Sequence, residues 1–291
     1  MKKLATLLLL LCLLVGCLGC TQTPVRPEPV GEFIVHFIDL GQSDSILLEY
    51  EGLYALIDGG FANTGDQLVD YLESVGVQEL ELVISTHMHG DHMGGLPYVL
   101  AAFPVKQVWR SPQTYYSESY DRMEYYADQQ GITLDVPVVG QIQLLGNVYL
   151  ELLGPLDKSY EDVNNSSLVI MASFGYRRFL FTGDMELEAE KQLVDNGTDL
   201  KADVLKVGHH GSYSSSNYMF LKAVQPEYAV IQCGRDNEYG HPHDAALSRL
   251  RNADVDIYRN DLMGTIIAVC DGKDITFTWE FEDAKPEINK P

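Results

Sequence analysis

The chain has 291 residues, with 20 lysines and arginines against 42 aspartates and glutamates, and a formal net charge of −22. Its hydrophobic content of 46% is too high for an acidic disordered chain and suffices for one large domain or two small ones. This charge excludes a protein that holds nucleic acid on a broad basic surface, because lysine and arginine supply most non-specific affinity for phosphate. A polyanionic substrate would need a local positive centre.

The first 20 residues have the pattern of a secretory signal. Two lysines precede an apolar run from Leu4 to Val15, which is shorter than the roughly 20 residues of a usual membrane-spanning helix. The stretch Leu14–Cys17 resembles the lipobox of bacterial lipoproteins, which implies a signal peptide over residues 1–16 and a lipid on Cys17. Cys20 fits less well, because no leucine-like residue stands three positions before it. The alternative is an uncleaved apolar anchor.

The sequence after the lipobox predicts a tether followed by one domain. Three prolines fall within residues 21–30, so we predict an extended, membrane-tethering segment over residues 17–30. We place a single domain at residues 31–282 and a C-terminal tail at residues 283–291. The two cysteines of the domain, Cys233 and Cys270, each end an apolar run and are predicted to be free and buried.

The body of the chain alternates strand and helix patterns. Most of the aliphatic and β-branched runs are bounded by Gly, Asp, Asn or Pro, which is typical of strands. The predicted strands are Glu32–Ile38, Ser45–Tyr50, Leu53–Ile57, Leu80–Ser85, Val148–Leu153, Ser167–Phe174, Arg178–Thr182, Asp203–Val207, Tyr228–Gln232, Gly264–Val269 and Asp274–Glu280. The predicted helices are Asp66–Ser74, Leu96–Ala102, Tyr116–Gln130, Glu186–Asp195, Tyr218–Val224 and Asp244–Arg251. This mixture indicates an α/β fold with layered strands and helices outside.

Seven of the eight histidines fall into three tight groups. The groups are His87, His89 and His92; His209 and His210; and His241 and His243. The eighth, His36, stands alone in the first apolar strand and is predicted to be a packed or edge residue. The first group, together with Asp91, directly follows an apolar strand, whose end presents side chains at the rim of a sheet. Imidazole and carboxylate at this spacing suit zinc and other first-row metals.

These motifs resemble the metallo-β-lactamase superfamily, whose HxHxDH hallmark is matched over His87–His92. Asp58-Gly59-Gly60, Gly183-Asp184 and the stretch Lys206–Ser212 match further superfamily motifs. Within it, the chain is most similar to the extracellular domain of the ComEC/Rec2 competence proteins. That similarity rests on Asp39–Ser45, Asn164–Val169, Lys201–Ser216 and Tyr239–Pro242. The resemblance implies a four-layer αββα sandwich.

The resemblance also implies a ligand set for two divalent metals, Zn²⁺ or Mn²⁺. His87 and His89 would bind the first metal, Asp91 and His92 the second, and Asp184 would bridge the two. His209 or His210 would complete the second site, and spacing from Asp184 favours His210. Asp58 would orient the ligands.

The first site departs from the superfamily pattern, because its usual third histidine is missing. Asn164 and Asn165 stand in the expected region. Three interpretations stay open: Asn164 is a weak ligand, a water takes the place, or the asparagines only form a turn.

Two residues outside the ligand set are candidates for substrate contact. His241 follows a predicted strand and a turn-rich segment, so we expect it to bind the scissile group or stabilise developing charge. The alternative is a capping element before the helix near Asp244. Ser212 lies beside the late histidines and is also expected to contact substrate.

Together the signal pattern and the resemblance predict an exported, lipid-anchored dinuclear metal-dependent hydrolase on the extracytoplasmic face of the membrane. Asp91, Asp184 and His241 would carry the chemistry, with a metal-bridging hydroxide as the nucleophile. The resemblance to the competence proteins implies that the bond attacked is a phosphodiester, DNA being one candidate. The alternatives are hydrolysis of another ester or a lactam, and a non-catalytic surface lipoprotein with a structural metal. No protein partner is inferred.

Overall fold

The computed structural model describes residues 29–289. The predicted signal peptide, the lipidation of Cys17 and most of the predicted tether lie outside these residues. None of the helices in the described part combines the length and apolar character that crossing a bilayer requires.

The first sheet has eight strands, in the order β15-β14-β1-β2-β3-β4-β5-β6. The strands β3 to β6 run parallel to one another, and the remaining neighbours pair antiparallel. Their bounds are β1 Phe33–Phe37, β2 Ile46–Tyr50, β3 Leu53–Ile57, β4 Leu82–Ser85, β5 Val108–Arg110, β6 Leu134–Asp135, β14 Ile266–Cys270 and β15 Ile275–Trp279. The helices of this half are α1 Gly65–Ser74, α2 Gly90–Met93, α3 Leu96–Ala102 and α4 Glu118–Gln129.

The second sheet has seven strands, in the order β13-β12-β11-β10-β9-β8-β7. The strands β10 to β13 are parallel. The bounds are β7 Ile142–Leu145, β8 Val148–Gly154, β9 Val169–Phe174, β10 Arg177–Phe181, β11 Val204–Lys206, β12 Tyr228–Ile231 and β13 Asp256–Arg259. Its helices are α5 Leu187–Asp195, α6 Tyr218–Val224, α7 Asp244–Asn252 and α8 Asn260–Met263, and single 3-10 turns lie at Ala62–Thr64, Val163–Ser166 and Gly208–Gly211.

Three buried apolar clusters hold the layers together. One lies between the two sheets, where the Phe33 and Phe179 rings meet edge to face at 5.3 Å. A second packs the outer face of the second sheet against α5, α6 and α7, and a third packs the first sheet against α1, α3 and α4. The predicted four-layer αββα sandwich is confirmed.

Four parallel strands end at one edge of the sandwich. Asp58 follows β3 and His87 follows shortly after β4, while Asp184 follows β10 and His209 follows β11. The carboxyl ends of neighbouring parallel strands meet at the same edge, which is where ligands bind in such sheets. Residues far apart in sequence are thereby brought to one place.

Four strands were not predicted: β5, β6, β7 and β13. Two of them have only two or three residues, and β7 leaves Ile142 and Leu144 exposed, so their sequence periodicity is weak. The predicted free cysteines, Cys233 and Cys270, are confirmed as buried and unpaired. In the segment predicted as a tail, Glu287 pairs with Ile257 of β13.

Candidate metal centre

Two clusters of metal-ligand side chains share one carboxylate. The four-residue group consists of Asp91, His92, Asp184 and His210, and the three-residue group consists of His87, His89 and Asp184. Within each group the ligand atoms lie within 4.8 Å of one another. The structure therefore assembles a predicted set of ligands that the sequence spreads over more than a hundred positions.

Asp184 lies at the centre of both groups. Its Oδ2 atom is 3.2 Å from Nε2 of His92, 3.6 Å from Nε2 of His210 and 3.9 Å from Nε2 of His87. The Asp184 backbone N–H donates to Ser167 Oγ, which fixes the turn after β10. One carboxylate oxygen thus faces both ligand groups.

The histidines of the late pair, His209 and His210, have an unusual backbone conformation. His209 and His210 have φ values of 47° and 51°. These values lie in the left-handed region, which a residue other than glycine adopts at a cost of order 1–3 kcal/mol. His209 Nδ1 contacts Glu186 Oε1 at 2.8 Å, whereas His210 Nε2 lies 3.1 Å from Asp91 Oδ2. The geometry groups His210, and not His209, with Asp91, His92 and Asp184.

Backbone and carboxylate acceptors orient the histidines of the four-residue group. His92 Nδ1 donates to Asp58 Oδ2 at 2.8 Å, and His210 Nδ1 donates to the Gln232 carbonyl at 3.0 Å. These bonds leave both Nε2 atoms directed toward Asp184. Asp58 occupies the orienting position that the resemblance implied.

A buried ion pair lies beneath the same group. Lys206 is fully buried, and its Nζ atom lies 2.6 Å from Asp44 Oδ2 and donates to the Val207 carbonyl. Asp44 Oδ1 is 3.2 Å from His210 Nδ1, but that proton is directed to Gln232, so the contact is electrostatic. Lys206 compensates a carboxylate that would otherwise be buried without a partner. Neither residue was predicted from the sequence to support the site, although a lysine inside an apolar strand was the available signal.

The three-residue group is oriented mainly by hydroxyls. His87 Nδ1 lies 3.2 Å from Thr86 Oγ1 and 3.4 Å from Ser167 Oγ, and Ser167 Oγ donates to the Asn164 carbonyl. Asn164 is buried and its Oδ1 atom has no hydrogen-bond partner. Asn165 Oδ1 instead accepts two backbone N–H groups at the start of α5, which is a structural role.

The donor set fits divalent cations. His92 Nε2 and Asp184 Oδ1 are buried without a hydrogen-bond partner, which is costly for polar atoms unless a ligand satisfies them. Although burial opposes it, the carboxylates of Asp184 and Asp44 raise the pKa of His210 to about 10. The pKa of His92 is likewise raised, against its burial, by Asp184 and Asp91. The protons held by these two histidines therefore offset the negative charge of the carboxylates, which a bound cation would neutralise instead. Cation binding should release these protons.

A polar relay fixes His241 at the rim of the cleft. The Gly234 N–H donates to Gln42 Oε1 at 2.9 Å, so the amide nitrogen of Gln42 donates to His241 Nδ1 at 3.2 Å. Burial and the nearby histidines, His210 first, lower the pKa of His241 to about 4. His241 is therefore neutral at pH 7 with its Nε2–H free to donate into the cleft. This role of Gln42 was not predicted from the sequence.

The cleft has a volume of about 270 Å³. It is lined by Gln42, Phe61, His89, Gly90, Asp91, Asp184, His209, His210, Tyr239 and His241. Ser212 is buried and contacts Ser214 Oγ at 2.8 Å, so the structure does not bring it into this lining. His243 immediately precedes α7 and accepts the Tyr213 N–H.

Comparison with known proteins agrees with this geometry. The family model described as "Metallo-beta-lactamase superfamily" matches residues 38–235. The chain belongs to the metallo-β-lactamase superfamily. A solved superfamily structure, the metallo-β-lactamase fold protein YhfI from Bacillus subtilis, aligns with a TM-score of 0.55 over 79% of this chain and 96% of its own, at 12% identity. That likeness shows the fold.

Two competence proteins are similar to this member of the superfamily over most of its length. "ComE operon protein 3" of Bacillus subtilis is 31% identical over 251 residues, covering 80% of this chain and 32% of its own length. "Competence protein ComA" of Neisseria gonorrhoeae is 32% identical over 247 residues, covering 83% and 33%. The chain therefore spans about a third of these relatives. The family and its ligand clusters support a metal-dependent hydrolase.

Proposed function

We propose that this chain is a dinuclear metal-dependent hydrolase of phosphodiesters, exported and held at the extracytoplasmic face of the membrane by a lipid on Cys17. The observation that carries the dinuclear proposal is the position of Asp184 Oδ2, within 4 Å of histidines in both ligand groups. One carboxylate shared by two groups is the arrangement that two-metal hydrolysis needs.

Each side chain of the cleft has a distinct part in this proposal. His87, His89 and Asp184 would hold one cation, with Asn164 as a weak additional ligand, and Asp91, His92, Asp184 and His210 would hold the other. Divalent cations at these positions would supply Lewis-acid activation of water and of the scissile group. The Nε2–H of His241 is placed to donate to an oxygen that gains negative charge during the reaction.

The negative charge of the chain limits how a substrate can be bound. None of the described residues lining the cleft is a lysine or an arginine, and the whole chain carries −22. Tight, sequence-independent binding of a nucleic acid backbone is disfavoured. A phosphodiester would be held chiefly at the cation pair, which allows either a small substrate or one strand of DNA to be cleaved.

The test combines metal analysis with a hydrolysis assay. The purified full chain should contain close to two equivalents of Zn²⁺ or Mn²⁺ and hydrolyse bis-p-nitrophenyl phosphate or single-stranded DNA. Asp184→Ala should lose metal and at least about 10³-fold in kcat/KM, whereas Asp195→Ala, a surface carboxylate paired with Lys191, should keep both. A metal-free wild-type protein, or an Asp184→Ala variant of full activity, would overturn the dinuclear proposal.

The same assay separates the alternatives. Hydrolysis of a carboxylic ester or a lactam with no phosphodiester cleavage would retain the metal centre and replace the substrate. Two bound metals with no hydrolysis of any of these substrates would favour a binding lipoprotein. The anchor is tested separately by mass spectrometry of the mature N-terminal peptide, which should begin at Cys17 and carry lipid. An unmodified Cys17 would contradict the anchor alone.

A further inference from the structure

The described chain begins beside the turn between β7 and β8. Tyr50 Oη donates to the Val30 carbonyl at 2.7 Å, and Asn147 Nδ2 donates to Tyr50 Oη at 2.8 Å. Asn147 belongs to the two-residue turn that joins β7 to β8. Val30, where the described chain enters the fold, therefore lies at this turn.

This entry point lies at the end of the sandwich opposite the metal centre. β1 begins at Phe33, opposite Tyr50, and ends at Phe37, after which the chain reaches Asp44 beneath the ligands. Likewise β3 begins at Leu53 and ends directly before Asp58. A five-residue strand spans about 17 Å, so at least this distance separates the two ends.

An uncovered apolar surface adjoins the entry point. We call it the apolar base, and it consists of Val138, Val139, Ile142, Leu144 and Tyr149, whose exposed fractions run from 49% to 69%. It begins at Leu144 and Tyr149 beside the turn and runs along the outward face of the hairpin toward Leu152, whose carbonyl accepts the Gly140 N–H. Leu144 pairs with Tyr149 across the hairpin, and Ile142 shares their face because side chains alternate along a strand. Their inward-facing neighbours Leu145, Val148 and Leu150 lie in the core between the sheets. Clustered exposed apolar side chains mark an interaction surface.

We infer that the apolar base rests on the surface of a lipid bilayer, and this inference depends on the proposed lipid at Cys17. Twelve residue steps separate Cys17 from Pro29, a reach of about 40 Å at most. An anchor this close raises the effective concentration of the apolar base at the membrane. One lipid signal binds a membrane only marginally, so a second contact stabilises attachment.

The net charge of the chain favours apolar contact with neutral lipids over electrostatic attraction to charged ones. The chain carries −22, so anionic headgroups repel it and apolar insertion is the remaining attraction. Seated on the apolar base, the protein lays the outward face of β7 and β8 against the lipid, and the metal cleft opens at the end of the strands that lies farther from Val30.

Tryptophan reporters test this contact in the processed full chain, mixed with phosphatidylcholine vesicles whose acyl chains carry bromine, a quencher of indole. Leu144→Trp and Tyr149→Trp place the reporter on the apolar base at exposed positions, so the fold tolerates them. Tyr116→Trp is the matched control, since Tyr116 is 85% exposed and precedes α4 on the other sheet's outer layer. Native Trp109 and Trp279 provide the baseline.

Both reporters on the apolar base should be quenched at least about twofold more strongly than the Tyr116→Trp reporter, with a blue-shifted emission. Equal quenching at all three positions, quenching only at the control, or failure of the protein to float with vesicles would overturn the inference. The lipid on Cys17 and the hydrolysis of bis-p-nitrophenyl phosphate are measured on the same samples. Loss of either identifies failure of the proposed anchor or activity, whatever the quenching shows.

Discussion

The two ligand groups that share Asp184 are supported to very different degrees. Behind the four-residue group lie Asp58, the Gln232 carbonyl and the buried Lys206–Asp44 pair. Behind the three-residue group, His87 meets two hydroxyls and an asparagine stands where the superfamily pattern has a histidine. Ligand number and supporting acceptors both govern metal affinity. We therefore expect the four-residue group to bind its cation more tightly.

The largest expected effect comes from breaking the ion pair beneath the four-residue group. Lys206→Met leaves Asp44 buried without its cation, which should lower the free energy of unfolding by about 3–5 kcal/mol. The double variant Lys206→Met/Asp44→Asn should recover most of this loss, because neither charge is then left unpaired. Urea unfolding measures the effect, with Lys222→Met on the exposed face of α6 as control. Equal destabilisation by the single and double variants would show that packing, rather than charge pairing, dominates.

Removing an orienting carboxylate should affect the two groups unequally. Asp58→Asn weakens the acceptor of the His92 Nδ1 proton, so cation affinity at the four-residue group should fall about 10–100-fold. Ser167→Ala removes a hydroxyl beside His87 and also the acceptor of the Asp184 N–H. It should weaken the three-residue group by a smaller factor, and any loss at the four-residue group through Asp184 should be smaller still. Competition with a chromophoric chelator measures both affinities. A larger effect from Ser167→Ala would reverse the comparison.

A smaller effect is expected at the rim, outside both ligand groups. Gln42→Leu removes the donor that fixes the His241 tautomer, so the Nε2–H is no longer held toward the cleft. We expect kcat to fall about tenfold while metal content stays at the wild-type level. Gln42→Asn, with a shorter side chain, should give a partial loss. A drop in metal content would place Gln42 with the ligand support instead.

The smallest effect concerns how the free energy of unfolding depends on pH. This dependence must be known before metal binding is compared between pH values. Burial lowers the pKa of His36 to about 4, whereas an unfolded histidine titrates near 6.5. Between these values the unfolded state binds the additional proton, so stability falls as the pH decreases. From pH 7.5 to about 5.5 the His36 contribution to the loss should be about 1.3 kcal/mol. Urea unfolding of His36→Gln should show a correspondingly shallower pH dependence, and an unchanged slope would contradict the assignment.

Local sequence patterns predicted an α/β fold and a group of metal-ligand side chains after β4, whereas the four-layer order and the parts given to Asp184 and His210 came from the superfamily resemblance. His87 to His92 occupy consecutive positions after β4, so their clustering is a local property of one loop. The weak strands β5 and β6 escaped prediction because two or three residues carry no measurable periodicity. Their place in the sheet is set by neighbouring strands.

Long-range pairs account for what sequence reasoning missed at the site. Lys206 meets Asp44, and Gln42 meets His241, only because the ends of the two sheets are packed together. Only Lys206 stands out within its own segment, as a lysine at the end of the apolar strand β11. Spacing from Asp184 favoured His210 over His209, and the structure adds the reason, since Glu186 and Gln232 hold the two rings in different directions.

Titration of the metal-free full chain with Zn²⁺ tests the central claim most directly. We expect two phases of one equivalent each, separated by at least about tenfold in affinity. His210→Asn should remove the tight phase, and His89→Asn should remove the weak phase and leave the tight one. Two equal phases, a single equivalent in the wild-type protein, or a tight phase that disappears in His89→Asn and persists in His210→Asn would contradict it.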